Sequence, residues 1–169
     1  SSLSKGKVIS TFAAFDKDER ERLRKFRHAL PETVNSLIAD RKKRFPKLTK
    51  LGTDMAVPDE HLAAIMQVYR KALDANKLDY VIFGHIGNNH LHVNVLPRNM
   101  NEYALGKGLY GEFAKDVLAM HGSISAEHGI GKLKRRFLQL MLGDSGIEQM
   151  RSVKHVFDPE SLLGPGTLL

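Results

Sequence analysis

The stretch that most restricts what this chain can fold into runs from Gly84 to Leu96, GHIGNNHLHVNVL. It reads as two strands joined at Asn88-Asn89, because asparagine tolerates the positive φ that both central positions of a type I′ turn require. A two-residue loop there pairs Gly87 with His90, Ile86 with Leu91 and His85 with His92. Side chains alternate between faces along a strand, so Ile82, Ile86, Leu91, Val93 and Val95 share an apolar face. His85, His90, His92 and Asn94 share the other. Directly opposed residues have Cβ atoms about 4.5–5.5 Å apart, close enough for two imidazoles to hold one ion.

The segments around the hairpin supply the rest of an α+β domain. Asp16 to about Arg44 has helical periodicity, with Leu23, Phe26, Leu30, Val34, Leu37 and Ile38 on one stripe and Pro31 expected to kink it or start a second helix. Pro46 and Gly52 mark an extended loop before a short strand at Asp54 to Val57. Pro58 then opens a helix carrying Leu62, Ile65, Met66, Tyr69 and Leu73, which Asn76 ends. After the hairpin, Asn99 or Asn101 caps a helix to about Met120, in which Gly106 and Gly108 weaken the first turns. Ser123 to Ser125 is a short strand, and helices follow near Leu133–Met141 and Ile147–Phe157. Strand, helix, strand, strand, helix, strand is the split βαβ order of a ferredoxin-like antiparallel sheet. Both crossover helices would cover its apolar face, leaving the histidine face open or against another domain. We expect an edge or linker at 1–15 and a single domain at 16–169, with its sheet core at about 53–126 and helical segments at both ends.

Composition narrows the chemistry. A chain of 169 residues without cysteine has no disulfide, thiolate metal site, iron–sulfur cluster or cysteine nucleophile. Any metal must be held by His, Asp, Glu or water, and a cytoplasmic setting fits. There is no apolar run of membrane-spanning length, so any membrane association would be peripheral and through partners. The net charge of +7 sits on helix-like segments without interleaved aromatics, which argues against nucleic acid and for solvated helix faces or steering of an anion.

A second constellation is SAEHGIGK, Ser125 to Lys132. Adjacent side chains in an extended segment point to opposite sides. Glu127 would therefore complete a His-His-carboxylate set while His128 faces a substrate as general base. Gly129 and Gly131 allow close backbone approach to a ligand, and Lys132 begins a helix whose N-terminus favours anions. A phosphate loop is excluded, since Ala126 replaces its first glycine and Leu133 its Ser or Thr. Arg27 is of the type that clamps a carboxylate bidentately.

Three ordered motifs, VIFGHIGNNHLHVNV, GSISAEHGIGK and MRSVKHVFDPESLLGPGTLL, resemble the C-terminal domain of FAD-linked oxidases of the glycolate oxidase and flavin-type D-lactate dehydrogenase group. TDMAVP at Thr53 and RHALPE at Arg27 fit the same domain, so the resemblance runs from roughly Arg27 to Leu169. It implies that His85, His92 and Glu127 bind a divalent metal (zinc, manganese or iron), that His128 is the catalytic histidine, and that Arg27 holds a substrate carboxylate. The family's Asp-Gly-Asn is here Asn88-Asn89-His90. Its asparagine lies near flavin and substrate, so His90, with Asn94 on the same face, is expected to meet the substrate, and His90 to alter substrate choice or add a ligand. Gly52 stands where some members carry a substrate-binding lysine. The resemblance also implies an FAD-binding domain, in cis or in trans, that binds most of the FAD and covers the open face of the sheet. The expected activity is oxidation of a small anionic D-2-hydroxy acid to the 2-oxo acid. The rival expectation is a metal-binding or docking module with no activity of its own.

Overall fold

The computed structural model describes residues 13–169, so most of the expected edge at 1–15 lies outside the described residues. Helix α1 spans Lys17–Arg44, followed by β1 (Leu51–Gly52), β2 (Met55–Ala56), α2 (Leu62–Ala75), β3 (Tyr80–His85), β4 (His90–Val95), α3 (Met100–Ala119) and α4 (Arg135–Phe157). Helix starts and stops follow the local chemistry. Asp16 accepts from the Glu19 N–H at the start of α1, Asn99 accepts from the Asn101 and Glu102 N–H groups at the start of α3, and Asn76 closes α2. The chain of α4 is broken at Gly143, whose φ of 66° and ψ of 178° separate two helical segments as expected. Among the described residues no helix is long and apolar enough to cross a membrane.

Strand β4 is the centre of an antiparallel sheet. β3 pairs along one edge, from Tyr80↔Val95 to His85↔His90. On the other edge β1 and β2 pair in one register, Leu51↔Val95 and Gly52↔Asn94, then Met55↔Leu91 and Ala56↔His90. The end of the expected loop is therefore a strand. Thr53 interrupts this edge: its hydroxyl accepts the Val93 N–H at 2.9 Å and donates to the Leu91 carbonyl at 3.2 Å. Beyond Ala56, Ser123 joins by a single antiparallel bridge. The order is that of the split βαβ arrangement, with its last strand reduced to one bridge. Local bonds compete there, because the Ser123 hydroxyl turns back on the Ser125 backbone.

The hairpin corrects the expected register. Ile86–Asn88 forms a 3-10 turn and Asn89 alone takes the left-handed conformation, φ 53°. The loop thus holds four residues instead of two, and His85 lies opposite His90 while Phe83 lies opposite His92. A shift of two preserves the faces, so the histidines stay together. Ile86 leaves the apolar face for the turn and is 66% exposed.

That apolar face carries the main core. Val93 and Val95 pack with Ile65, Tyr69 and Leu73 of α2 and with Phe113, Ala114 and Val117 of α3. Gly106 is a packing device here, since a Cβ would stand 2.8 Å from Leu51 Cδ1 and 3.3 Å from Val95 Cγ1. The opposite face is not left wholly open. Val34 and Ile38 of α1 bury against Leu48 and Leu96, with Val81 and Phe83 packed alongside. Helix α1 runs through Pro31 without ending, on a half of the helix where Leu23, Phe26 and Leu30 are exposed.

Candidate metal centre

The alternation that puts Gly52 beside Asn94 and Ala56 beside His90 puts Asp54 on the histidine face, next to His92. Its buried carboxylate gathers four donors. The Lys134 ammonium approaches at 2.7 Å, the Ser125 hydroxyl at 2.8 Å, the His128 N–H at 3.0 Å and the Glu127 N–H at 3.1 Å. Burial alone would raise the Asp54 pKa. The lysine, the hydroxyl and the two backbone N–H groups outweigh it and hold the carboxyl well below the usual carboxylate range. Asp54 is therefore an anion that fixes the backbone of the segment carrying Glu127 and His128.

Thr53 does the same for His92. Its carbonyl lies 2.8 Å from His92 Nδ1, and a carbonyl only accepts, so Nδ1 carries a proton and Nε2 is turned to the open side of the ring. Nε2 then faces Glu127 Oε1 at 3.3 Å. A proton on Nε2, or a cation shared with the carboxylate, satisfies such a pair. Ligand atoms on a tetrahedral ion with bonds of about 2.0–2.2 Å stand about 3.3–3.6 Å apart, so the pair is spaced for a metal.

Three further imidazoles surround the same carboxylate. His85 Nε2 is 3.8 Å from Glu127 Oε2, His90 Nδ1 is 3.7 Å from Oε1, and His128 Nε2 is 3.7 Å from Oε1. The donor atoms of His90, His92 and Glu127 all lie within 4.8 Å of one another, as do those of Asp54, His92 and His128. His85 belongs to neither group. It stands opposite His90 at the start of the four-residue loop and approaches the other Glu127 oxygen, Oε2.

His128 is 60% exposed, with its ring parallel to that of His92 at 5.0 Å. It does not point away from Glu127 as an extended segment would require, because residues 126–128 form a bend. His90 is the reverse, only 1% exposed. Its Nε2 stands 3.0 Å from Asp54 Oδ1, off the line of a hydrogen bond and without another partner. Burial and the neighbouring His92 pull its pKa below the ordinary imidazole value. Asn94 is also buried and donates to the His92 carbonyl. The structure thus buries both His90 and Asn94. Arg27 stands apart on the exposed half of α1. Asp54 and Lys134 were not anticipated as site residues, although the alternation through Gly52, Asp54 and Ala56 carries the signal for Asp54.

The tail is tied to this region. The Leu168 N–H donates to the Gly131 carbonyl at 3.0 Å, and Asp158 accepts from the Leu162 and Leu163 N–H groups, leaving both leucine side chains exposed.

The family model described as FAD linked oxidases, C-terminal domain, matches residues 1–168. The chain is 32% identical over 163 residues to a probable mitochondrial D-lactate dehydrogenase of Danio rerio, covering 95% of this chain and 31% of that protein. It is 30% identical over 152 residues to the mitochondrial D-lactate dehydrogenase (cytochrome) 1 of Saccharomyces cerevisiae, covering 89% and 26%. To a D-2-hydroxyglutarate dehydrogenase of Xanthomonas citri it is 42% identical over 94 residues, covering 53% and 20%. The chain therefore spans a third or less of the length of these relatives. On the match across nearly its whole length, it belongs to the family of FAD-linked oxidase C-terminal domains.

Proposed function

We propose that this chain is the metal- and substrate-binding part of an FAD-dependent oxidoreductase that converts a D-2-hydroxy acid to its 2-oxo acid. The observation that carries the reading is the convergence of His92 Nε2 and Glu127 Oε1, 3.3 Å apart beside the exposed ring of His128. Relatives named D-lactate dehydrogenase and D-2-hydroxyglutarate dehydrogenase support the substrate class.

FAD, held mainly by a domain outside this chain in cis or in trans, supplies the acceptor for the substrate's α-hydrogen and its electron pair. A divalent cation on His92 and Glu127, with His85 at the rim, supplies a Lewis acid that favours loss of the hydroxyl proton. Zinc, manganese and iron(II) all suit such donors. His128 receives the hydroxyl proton at Nε2, which places it 3.7 Å from the Glu127 carboxylate. Its place is held from two sides, by the bond from its N–H to Asp54 and by its stacking on His92. The family resemblance gives Arg27, exposed on α1 and outside the histidine cluster, as the clamp for the substrate carboxylate, and the net charge of +7 draws an anion toward the domain. The leucines of the tail, exposed beside the loop that carries His128, offer an apolar surface to the FAD-binding domain.

The test joins the chain to its FAD-binding domain and assays D-lactate, glycolate and D-2-hydroxyglutarate. His128→Gln should lower turnover by about 10²–10⁴-fold while elemental analysis finds the metal unchanged. A retained rate, or loss of metal in that variant, rejects the role of His128. Equal metal in the unmodified protein and in His92→Ala rejects the metal site.

A further inference from the structure

We propose that His90 is itself a ligand of the cation in this chain, binding through Nδ1, with Asp54 as the carboxylate that orients it. The inference rests on the metal reading above and extends it. His90 Nδ1 and His92 Nε2 face one and the same oxygen, Glu127 Oε1, at 3.7 and 3.3 Å. The three donor groups lie within 4.8 Å of one another, a convergence that His85 does not share. His90 and His92 are two residues apart on the central strand, so both project from one face of the most firmly paired element of the sheet.

The far side of the His90 ring carries the second part of the argument. A metal-bound histidine almost always gives its other ring N–H to a carboxylate or carbonyl, which sets the tautomer and the ring orientation. His92 has such a partner in the Thr53 carbonyl. His90 has Asp54, whose Oδ1 lies 3.0 Å from Nε2. That approach is close but not aligned as a hydrogen bond, so Nε2 is the one buried side-chain nitrogen or oxygen left without one among the described residues, and a cation at Nδ1 would hold the ring where its N–H meets Oδ1. A histidine serving only the core would have its ring nitrogens satisfied, and one contacting substrate would be open to it. His90 is neither. Two imidazoles and a carboxylate drawn from inside the sheet, with His85 at the rim, form a nitrogen-rich set that selects a transition-metal dication over magnesium or calcium.

Zinc titrated into the full chain tests this directly. Long-range ¹H–¹⁵N spectra of the imidazoles should show His90 Nδ1 and His92 Nε2 moving together on zinc addition, with His90 Nε2 still protonated. In competition with a chelator, His90→Asn should weaken zinc binding at least about tenfold. If His92 moves, His90 does not, and His90→Asn keeps the affinity, His90 is not a ligand and the metal reading stands without it. If no imidazole moves and no zinc binds, the metal reading itself falls. Should His90→Asn fail to fold, the spectra of the unmodified chain decide by themselves.

Discussion

Replacing Asp54 with asparagine removes a charge where three segments of the chain meet. The carboxylate accepts from Lys134, Ser125 and the N–H groups of Glu127 and His128, and the Lys134 side chain is only 16% exposed. Breaking a buried ion pair from one side costs about 3–5 kcal/mol, because the remaining charge is left uncompensated. The amide oxygen still accepts, so the lower end of that range is expected, about 3 kcal/mol. For a chain of this size that is a fall in Tm of about 6–12 °C. Urea unfolding measures it, and adding Lys134→Met should recover part of the loss by removing the stranded ammonium. Amide exchange at Glu127 and His128 should quicken in the single variant. A loss below about 1 kcal/mol, with exchange unchanged, would refute Asp54 as the anchor of the loop. The pH dependence has a definite sign, since the folded pKa of Asp54 is depressed. Its contribution is whole above the ordinary carboxylate value of about 3.9 and is lost as pH falls from there through the lower folded value.

Three other expectations can be checked separately. Gly122→Ala would set a Cβ 2.4 Å from the Ala56 carbonyl and 2.9 Å from that of Val117, backbone atoms that cannot yield cheaply; a loss of about 1–3 kcal/mol or more should lower the melting temperature, and an unchanged melt contradicts the packing described. Asp158, whose pKa is lowered chiefly by its bond from Lys154, should hold the tail above the ordinary carboxylate range and release it as pH falls through its folded value, read as faster amide exchange at Leu162 and Leu163 beyond the intrinsic pH effect. Asp158→Asn should give much of that release at neutral pH, and protection equal to that of the unmodified chain would count against the cap. Pro31→Ala should stabilise α1 by up to about 3 kcal/mol and raise the helical signal, whereas no gain would indicate that the helix is already broken there in solution.

What could be read from the chain in advance divides by how far each feature depends on distant partners. The histidine face was legible because a period of two needs no partner. Loop length was not, because the Asn89 side-chain amide donates to Asp59 thirty residues away and a 3-10 turn absorbs the extra residues. The consequence for the face is nil, since a shift of two moves His85 from His92 to His90 without moving either off it. Asp54 was read only as part of a strand. Its pull on Lys134 and on the Glu127 and His128 backbone spans more than seventy positions, which no local pattern encodes. The burial of His90 is likewise invisible to local alternation, since its neighbours Asp54 and Glu127 lie 36 and 37 positions away. Helix α1 differs in the other direction: its apolar stripe is plain, but among the described residues only Val34, Leu37 and Ile38 of that stripe pack on the rest of the chain.

The span of those contacts has a consequence for the order in which the protein assembles. His85, His90 and His92 are neighbours along the chain and travel together from synthesis onward. Glu127 reaches His92 across 35 positions, and Lys134 reaches Asp54 across 80. Such long loops close late, so a nascent chain offers its imidazoles for some time before the Glu127 carboxylate arrives and before Lys134 secures Asp54. A partly folded chain is then a loose chelator without Glu127, and a metal captured early would have to be surrendered or reseated when Ser123 docks beside Ala56. Refolding in excess zinc should accordingly be slower than refolding in chelator followed by zinc.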